Sequence, residues 1–453
     1  MPDRGATRAA YRFAHRESDL VRQPLTTNLL LFLSRGNAPI TAESAMRPPG
    51  LPVTAHIAAL TGVRAFAALW VVLFHSWIMA GRPSPTLDLR VTQFDLTPIF
   101  KFGWLGVDLF FVLSGFLLTR QAWGKVSRGN TARWLPSQFG ETYTSFLRRR
   151  ILRVYPAYYA VISVLLVLAA LHVYRSLPEK GDLLLHLVMF HNVVARYLES
   201  INDVLWSIPF EWQFYFVFPF LFIILRRTNP VALYVMAALL ALGSKKWADI
   251  NGSGYVELHL PVRLDEFVAG MCAATFAEHH PLRRPLALVS FVLGLTGLVG
   301  TPWVWSAYPN GGHYFDAIGL VRPLWIQASI CLFLLGLSGE PHPGVRLFSN
   351  RSVVWLGLIS YSIYLVHVPV LVLLPMVGAY PMQGSAVSGS LTRIIALAVP
   401  ATIATSAALY YLIERPFQAS GKRSPGQPWW SRNPVTVLSV WAVLQVLFLV
   451  AVS

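Results

Sequence analysis

Again and again this sequence runs apolar for about the length that crosses a bilayer core, roughly 18–20 residues. Such stretches lie near 57–80, 100–119, 150–173, 206–225, 230–243, 260–278, 285–305, 319–338, 353–377, 391–413 and 434–452. Each must satisfy its own backbone hydrogen bonds in lipid, which leaves helices or a closed barrel. A barrel needs repeated alternating strands, and the pattern has none. Only 13% of the 453 residues are charged, against roughly 25% in soluble chains. The expected fold is therefore all-α: a polytopic transmembrane helical bundle of about ten core spans plus one extra C-terminal span. The span at 230–243 is short and that at 260–278 is interrupted by charge.

A net charge of +16 raises nucleic acid as a partner. The basic residues instead alternate from loop to loop, as retention in the cytoplasm requires, and no nucleic-acid partner is expected. With the N-terminus inside, one set of loops holds Arg120, Lys125, Arg128, Arg133, Arg148–Arg150, Arg226, Arg227, Arg283, Arg284, Arg346, Arg351, Arg415, Lys422, Arg423 and Arg432. The opposite loops near 306–318 and 378–390 have no Lys or Arg. A multi-pass plasma (inner) membrane protein with a cytoplasmic N-terminus follows. Residues 1–55 are expected to be a disordered cytoplasmic extension, or to precede a true start at Met46. Cys272 and Cys331 both fall in spans and form neither a disulfide framework nor a zinc pattern. The His279-His280 pair is too sparse for a metal site, and no metal is expected.

Polar residues inside the spans carry the functional signal, because burying them in lipid is costly. Arg64 and His75 stand eleven residues apart in one span. At 100° per residue they share a helix face to within about 20°, separated by roughly 16 Å along the axis. Span direction sets depth. Asp108, Glu211, Arg263, Asp265, Glu266, His75 and His367 all fall in the half of the bundle away from the basic loops. Arg64, Arg148–Arg150 and Arg153 fall near the basic side. An acid/base layer at one face and a cationic layer at the other imply a path between them. The chemistry that fits is transfer of a group from a cytoplasmic anionic donor to an acceptor at the far face. Guanidinium groups suit donor phosphates, and an imidazole near its working pH suits removal of a hydroxyl proton.

Six motifs follow one another in order. They are Arg64-x10-His75, Phe110-Phe-Val-Leu-Ser-Gly115, Arg148-Arg-Arg-Ile-Leu-Arg-Val-Tyr-Pro156, Trp206-Ser-Ile-Pro-Phe-Glu-Trp-Gln-Phe-Tyr215, Arg263-Leu-Asp-Glu-Phe-Val-Ala-Gly270 and Ser360-Tyr-Ser-Ile-Tyr-Leu-Val-His367. The ordered set resembles the integral-membrane acyltransferase-3 family of O-acyltransferases, from about 57 to Glu414-Arg415-Pro416-Phe417. The resemblance implies a cytoplasmic acyl-CoA-type donor and an acceptor hydroxyl, commonly on a sugar. It also ties activity to Arg64 and His75. The chain departs from the family pattern at Ser207-Ile208, where Ser-Leu is usual, and in the extra span 434–452. No esterase-like domain follows that span, so hand-over of the acyl group would need a separate extracytoplasmic transferase.

The expected division is an extension over 1–55, a transmembrane acyltransferase domain over 56–418, and a cytoplasmic linker with an additional helix over 419–453. Expected catalytic residues are His75 as general base, with Glu211 or Asp108 fixing its tautomer. Donor binding is assigned to Arg64, Arg153 and Arg150. Arg263, Glu266, His367, Tyr215 and Tyr364 are assigned to the acceptor or to lining the site. Arg263 and Glu266 have a simpler reading as an i, i+3 ion pair, and Ser114 as a packing residue beside Gly115. Acyl-CoA, with acetyl the simplest group, acts as co-substrate, and no permanently bound cofactor is expected. The acceptor is a carbohydrate, glycolipid or glycosylated small molecule. The alternative function is a multispan transporter of an anionic or sugar-linked substrate, which would share the midplane polar residues.

Overall fold

The computed structural model describes residues 55–88, 93–126, 139–250, 259–306, 317–379, 382–383, 386–387, 391–419 and 433–452. The expected extension over 1–55 and most of the linker after 419 lie outside these residues. The long helices are α1 (Ala55–Met79), α2 (Leu105–Val126) and α3 (Phe139–Ala170), then, after the short α4 (Lys180–Leu187), α5 (Ile208–Leu225) and α6 (Pro230–Ile250). They continue with α7 (Leu260–His279), α8 (Arg284–Ser306) and α9 (Ala317–Ser338). Then come the short α10 (Pro343–Phe348), α11 (Arg351–Leu358), α12 (Ser360–Leu373), α13 (Leu391–Leu409), the short α14 (Arg415–Ala419) and α15 (Pro434–Val452). Two small antiparallel ribbons, β1 (Thr86–Asp88) with β2 (Gln93–Asp95) and β3 (Met382–Gln383) with β4 (Ala386–Val387), decorate connections.

Among the described residues, ten helical segments have the length and apolar composition to cross a membrane. The chain is thus a multi-pass membrane protein with the expected helical bundle. α7 is of similar length, but Arg263, Asp265, Glu266 and Glu278 interrupt its apolar run. Large apolar side chains such as Val231, Met236, Leu239, Leu286 and Leu293 remain exposed on its outside, as lipid contact allows.

Three expected boundaries move. α3 reaches back to Phe139, so the arginine run sits on a helix face rather than at a helix start. α6 extends to Ile250, beyond the expected 243. The span expected over 353–377 breaks at Ile359, and Asn350 caps the first piece by accepting from the Ser352 amide at 3.0 Å. α13 passes into α14 through one π-helical turn, Tyr410–Glu414. Such turns are rare and concentrate at functional sites.

Lipid gives helices no hydrophobic reason to associate, so close approach through small residues matters. At the crossing of α2 and α7, a methyl added to Gly115 would lie 2.0 Å from the Phe267 carbonyl oxygen. One added to Gly270 would lie 1.9 Å from that of Val112. The two backbones therefore touch, and Phe267 stacks between Phe111 and Phe214 at 4.8 and 4.2 Å. α15 is fastened to α3 by polar contacts: Gln445 donates to the Tyr159 carbonyl at 2.8 Å and Trp441 to Ser163 Oγ at 2.9 Å. Gly115→Ala and Gly270→Ala should each destabilise the bundle by at least about 1–3 kcal/mol through overpacking. Thermal unfolding of the purified protein reads this; wild-type melting in both variants contradicts it.

Between α3 and α5, outside the spans, Asp182, His186 and His191 form a buried group. His191 Nε2 donates to the Leu205 carbonyl at 3.2 Å, and its ring stacks on His186 at 3.7 Å and 4°. Burial, and then the neighbouring His186, hold the His191 imidazole well below the ordinary 6.5. Below about pH 6.5 the unfolded chain takes a proton that the fold refuses, so stability falls as pH drops from that value. The melting temperature should decline between pH 6.5 and 5. His191→Gln, which keeps the donor without the titration, should show a smaller decline; an equal decline contradicts the assignment.

Candidate active site

One stripe of α2 organises the first cavity. Val107, Phe110, Phe111, Ser114, Leu117, Leu118 and Gln121 follow the i, i+3, i+4, i+7 rhythm of one helix face, and all line a cavity of about 120 Å³. Opposite them stand Arg64 from α1, Arg150 and Arg153 from α3, Ser207, Glu211 and Tyr215 at and beyond the start of α5, and Tyr361 and Tyr364 from α12. Arg150 and Arg153 are three residues apart and share a face, while Arg148 and Arg149 are exposed. The arginine run thus divides: two of its members turn inward and two outward.

The guanidinium groups keep donors in reserve. Arg150 Nη2 donates to Gln121 at 3.2 Å, its guanidinium carbon lies over the Phe146 and Tyr215 rings, and its buried Nε has no partner among the described residues. Arg64 and Arg153 line the cavity without a hydrogen bond to any described residue. Two carboxylates lie within electrostatic reach of Arg64, those of Glu211 and Glu414. Glu211 Oε1 accepts from Ser114 Oγ at 3.0 Å and from the Tyr215 hydroxyl one turn along α5. Glu414, buried in the π-helical turn, accepts from Ser362 at 2.9 Å and from Gln418 at 2.8 Å. Three cations facing two carboxylates leave a positive excess, which suits an anionic ligand.

The imidazole of His75 is half-buried toward the other end of α1, on the same helix as Arg64. Its Nδ1 lies 3.0 Å from the Val71 carbonyl and 3.2 Å from His367 Nε2. His367 Nδ1 lies 2.8 and 3.2 Å from the carbonyls of Tyr364 and Ile363, which can only accept. His367 therefore carries its proton on Nδ1 and presents a lone pair at Nε2. His75 Nδ1–H must donate to that lone pair, so the His75 lone pair is on Nε2, the arrangement of a base oriented by a neighbour. His75 does not line the cavity. Tyr364 does, hydrogen-bonded to Ser207 at 2.6 Å with its ring 5.8 Å from that of His367. The imidazole pair sits one side chain beyond the cavity.

Residues 57–411 match the acyltransferase-3 family, described as an acyltransferase domain. The chain belongs to this family. Among curated relatives it resembles the peptidoglycan O-acetyltransferase OatA of Listeria monocytogenes serovar 1/2a, at 26% identity over 70% of this chain and 50% of that protein. It also resembles the O-acetyltransferase OatA of Staphylococcus aureus strain NCTC 8325, at 24% identity over 81% of this chain and 58% of that protein. The chain spans about half the length of the curated relatives it matches. No solved structure matches it.

Within this family member, the expected single acid/base layer separates into different places. Glu211 sits with Ser114 and Tyr215, not with His75. Asp108 accepts from Arg263 at 3.2 Å, and Arg263 also pairs with Glu266 at 2.8 Å, the i, i+3 pair that the spacing suggests. These three line a second cavity, so neither Glu211 nor Asp108 fixes the His75 tautomer; His367 and Val71 do. Glu211 lies deeper than expected, at the level of Ser114 and within reach of Arg64, and Asp108 is turned to Arg263 on the other flank of α2. Ser114 turns to the cavity while Gly115 makes the packing contact. Sequence reasoning gave no role to Glu414, Tyr361 or Gln121; a lone carboxylate at the end of an apolar span was the signal for Glu414. Glu414→Leu should cost about 1–3 kcal/mol by leaving the Ser362 and Gln418 donors without their acceptor, and Glu414→Gln, which keeps an acceptor oxygen, distinctly less. Chemical or thermal unfolding checks the order, and equal effects contradict it.

Proposed function

We propose that this chain is a membrane-embedded O-acetyltransferase, moving an acetyl group from cytoplasmic acetyl-CoA to a hydroxyl of a cell-envelope carbohydrate at the opposite face. The observation that carries the reading is the pairing of His75 and His367, which leaves His75 Nε2 as a proton acceptor on the helix that also bears Arg64. Family membership and the printed names of the OatA relatives support the reaction class and a glycan acceptor. The loop charges support a cytoplasmic donor side.

In this reading Arg64, Arg150 and Arg153 hold the CoA phosphates, and the pantetheine arm runs along α1 toward His75. A cavity of about 120 Å³ holds only about four water volumes, so the arm enters as Tyr364 leaves Ser207 and turns aside. His75 Nε2 takes the proton of the acceptor hydroxyl as its oxygen attacks the thioester carbonyl. The resulting imidazolium keeps its Nδ1–H on His367 Nε2. Collapse of the tetrahedral adduct breaks the C–S bond, and the departing CoA sulfur takes the proton from His75. Ester and free CoA are the products, with no acyl-enzyme.

Purified His75→Ala should lose about 10²–10⁴-fold in kcat with the donor KM little changed. Arg64→Met and Arg153→Met should instead raise the donor KM about 10- to 100-fold, as loss of a charge-assisted hydrogen bond does. His367→Leu should lower kcat, and His367→Gln, whose amide oxygen accepts the same bond, should recover much of it. Steady-state acetyl transfer to glycan fragments separates these outcomes; normal transfer by His75→Ala removes the centre of the proposal.

A further inference from the structure

A second cavity, about 250 Å³, lies on the other flank of α2. Trp104, Asp108, Arg263, Asp265, Glu266 and Gln327 supply its polar and aromatic wall, with Lys245 and Arg322 alongside. Of the helices lining the two cavities, only α2 contributes to both. The volume equals about eight waters at roughly 30 Å³ each, and falls just below the roughly 300 Å³ where pockets for drug-sized ligands begin. It is the size of one sugar ring.

Its chemistry narrows the occupant. Asp108, Asp265 and Glu266 face Arg263, Lys245 and Arg322, so among the described lining residues the formal charges cancel. Asp265 Oδ2 accepts from Gln327 Nε2 at 2.7 Å, and Gln327 is itself held by the Tyr234 hydroxyl at 2.7 Å. Glu266 Oε1 accepts from Arg263. Asp265 and Glu266 are each only 6% exposed, yet Asp265 Oδ1 and Glu266 Oε2 have no hydrogen-bond donor among the described residues. Buried carboxylate oxygens without donors are costly. An occupant that brings O–H or N–H groups within reach of either oxygen would offset that cost. A further cation would unbalance a neutral site, and an anion would meet the two bare oxygens. No trio of His, Cys, Asp or Glu among the described residues is placed to hold a metal. A neutral ligand rich in hydroxyls suits these oxygens, and Trp104 in the same wall suits the apolar side of a ring.

We propose that this second cavity binds a single neutral sugar ring through Asp265 and Glu266, apart from the site of acyl transfer. The ring is either the end of a soluble glycan or the headgroup of a glycolipid; the hydroxyl chemistry is the same. The proposal stands without the acetyltransferase reading, because binding here needs no acyl donor.

The full chain in lipid nanodiscs, without acyl-CoA, is titrated with methyl β-glucoside, with monoglucosyl diacylglycerol and with putrescine as a cationic control. Binding is read by saturation-transfer NMR and calorimetry. A glucosyl probe should bind, and Asp265→Asn and Glu266→Gln should each weaken it at least tenfold. Trp104→Ala, outside the ion pairs, should also weaken it and serves if the carboxylate variants do not fold. His75→Ala should bind as the wild type does, which separates this site from the transfer chemistry. Binding of the soluble ring points to a glycan end, and binding of the lipid form alone to a headgroup; both support the site. No binding by either glucosyl probe, unchanged binding in the Asp265, Glu266 and Trp104 variants, or uptake of putrescine instead would overturn it.

Discussion

The interior of this bundle depends on how closely α2 and α7 cross. At Gly115 and Gly270 there is no room for a single methyl, so the two backbones meet and fix the rotation of α2. That rotation decides which residues face which neighbours. The stripe from Val107 to Gln121 turns toward the arginines of α1 and α3, while Asp108 turns toward Arg263 and Glu266. One apolar helix thereby separates an anion-attracting cavity from a charge-balanced one. In lipid, where burial of apolar surface does not drive helices together, such contact is what gives polar side chains fixed partners.

The second constraint is the pair of carbonyls near the start of α12. Because Tyr364 and Ile363 oxygens can only accept, His367 has one possible neutral tautomer, and His75 inherits the complementary one. Val71, one turn before His75 on α1, accepts from the same Nδ1 and steadies the ring. An imidazole oriented this way needs no carboxylate. That matters in an apolar setting, where a buried carboxylate beside the imidazole would carry its own desolvation cost. The carboxylates Glu211 and Glu414 are placed instead near the guanidinium groups, where they temper a positive cluster.

Much of this was legible in the sequence. Hydropathy and length gave the helical bundle, and spacing gave a common helix for Arg64 and His75 and the Arg263–Glu266 contact. What could not be read was where the carboxylates would stop: Glu211 reaches the level of Ser114 and Arg64, and Asp108 turns to Arg263, so neither meets His75. The break at Ile359 and the π-helical turn at Tyr410–Glu414 were also hidden, because both lie within apolar runs whose composition continues unchanged across them. His367 as the partner of His75 rests on a contact 292 residues distant in the chain, which no local pattern encodes.

The central claim is that the arginine-lined cavity and the imidazole pair serve one donor molecule. A structure of the chain in a bilayer with a non-hydrolysable acetyl-CoA thioether tests it most directly. The phosphates are predicted on Arg64, Arg150 and Arg153, with Tyr364 turned from Ser207 and the acyl carbonyl beside His75, leaving room for a hydroxyl about 3–3.5 Å from both. A nucleotide bound elsewhere, or an acyl end directed away from His75, would contradict it.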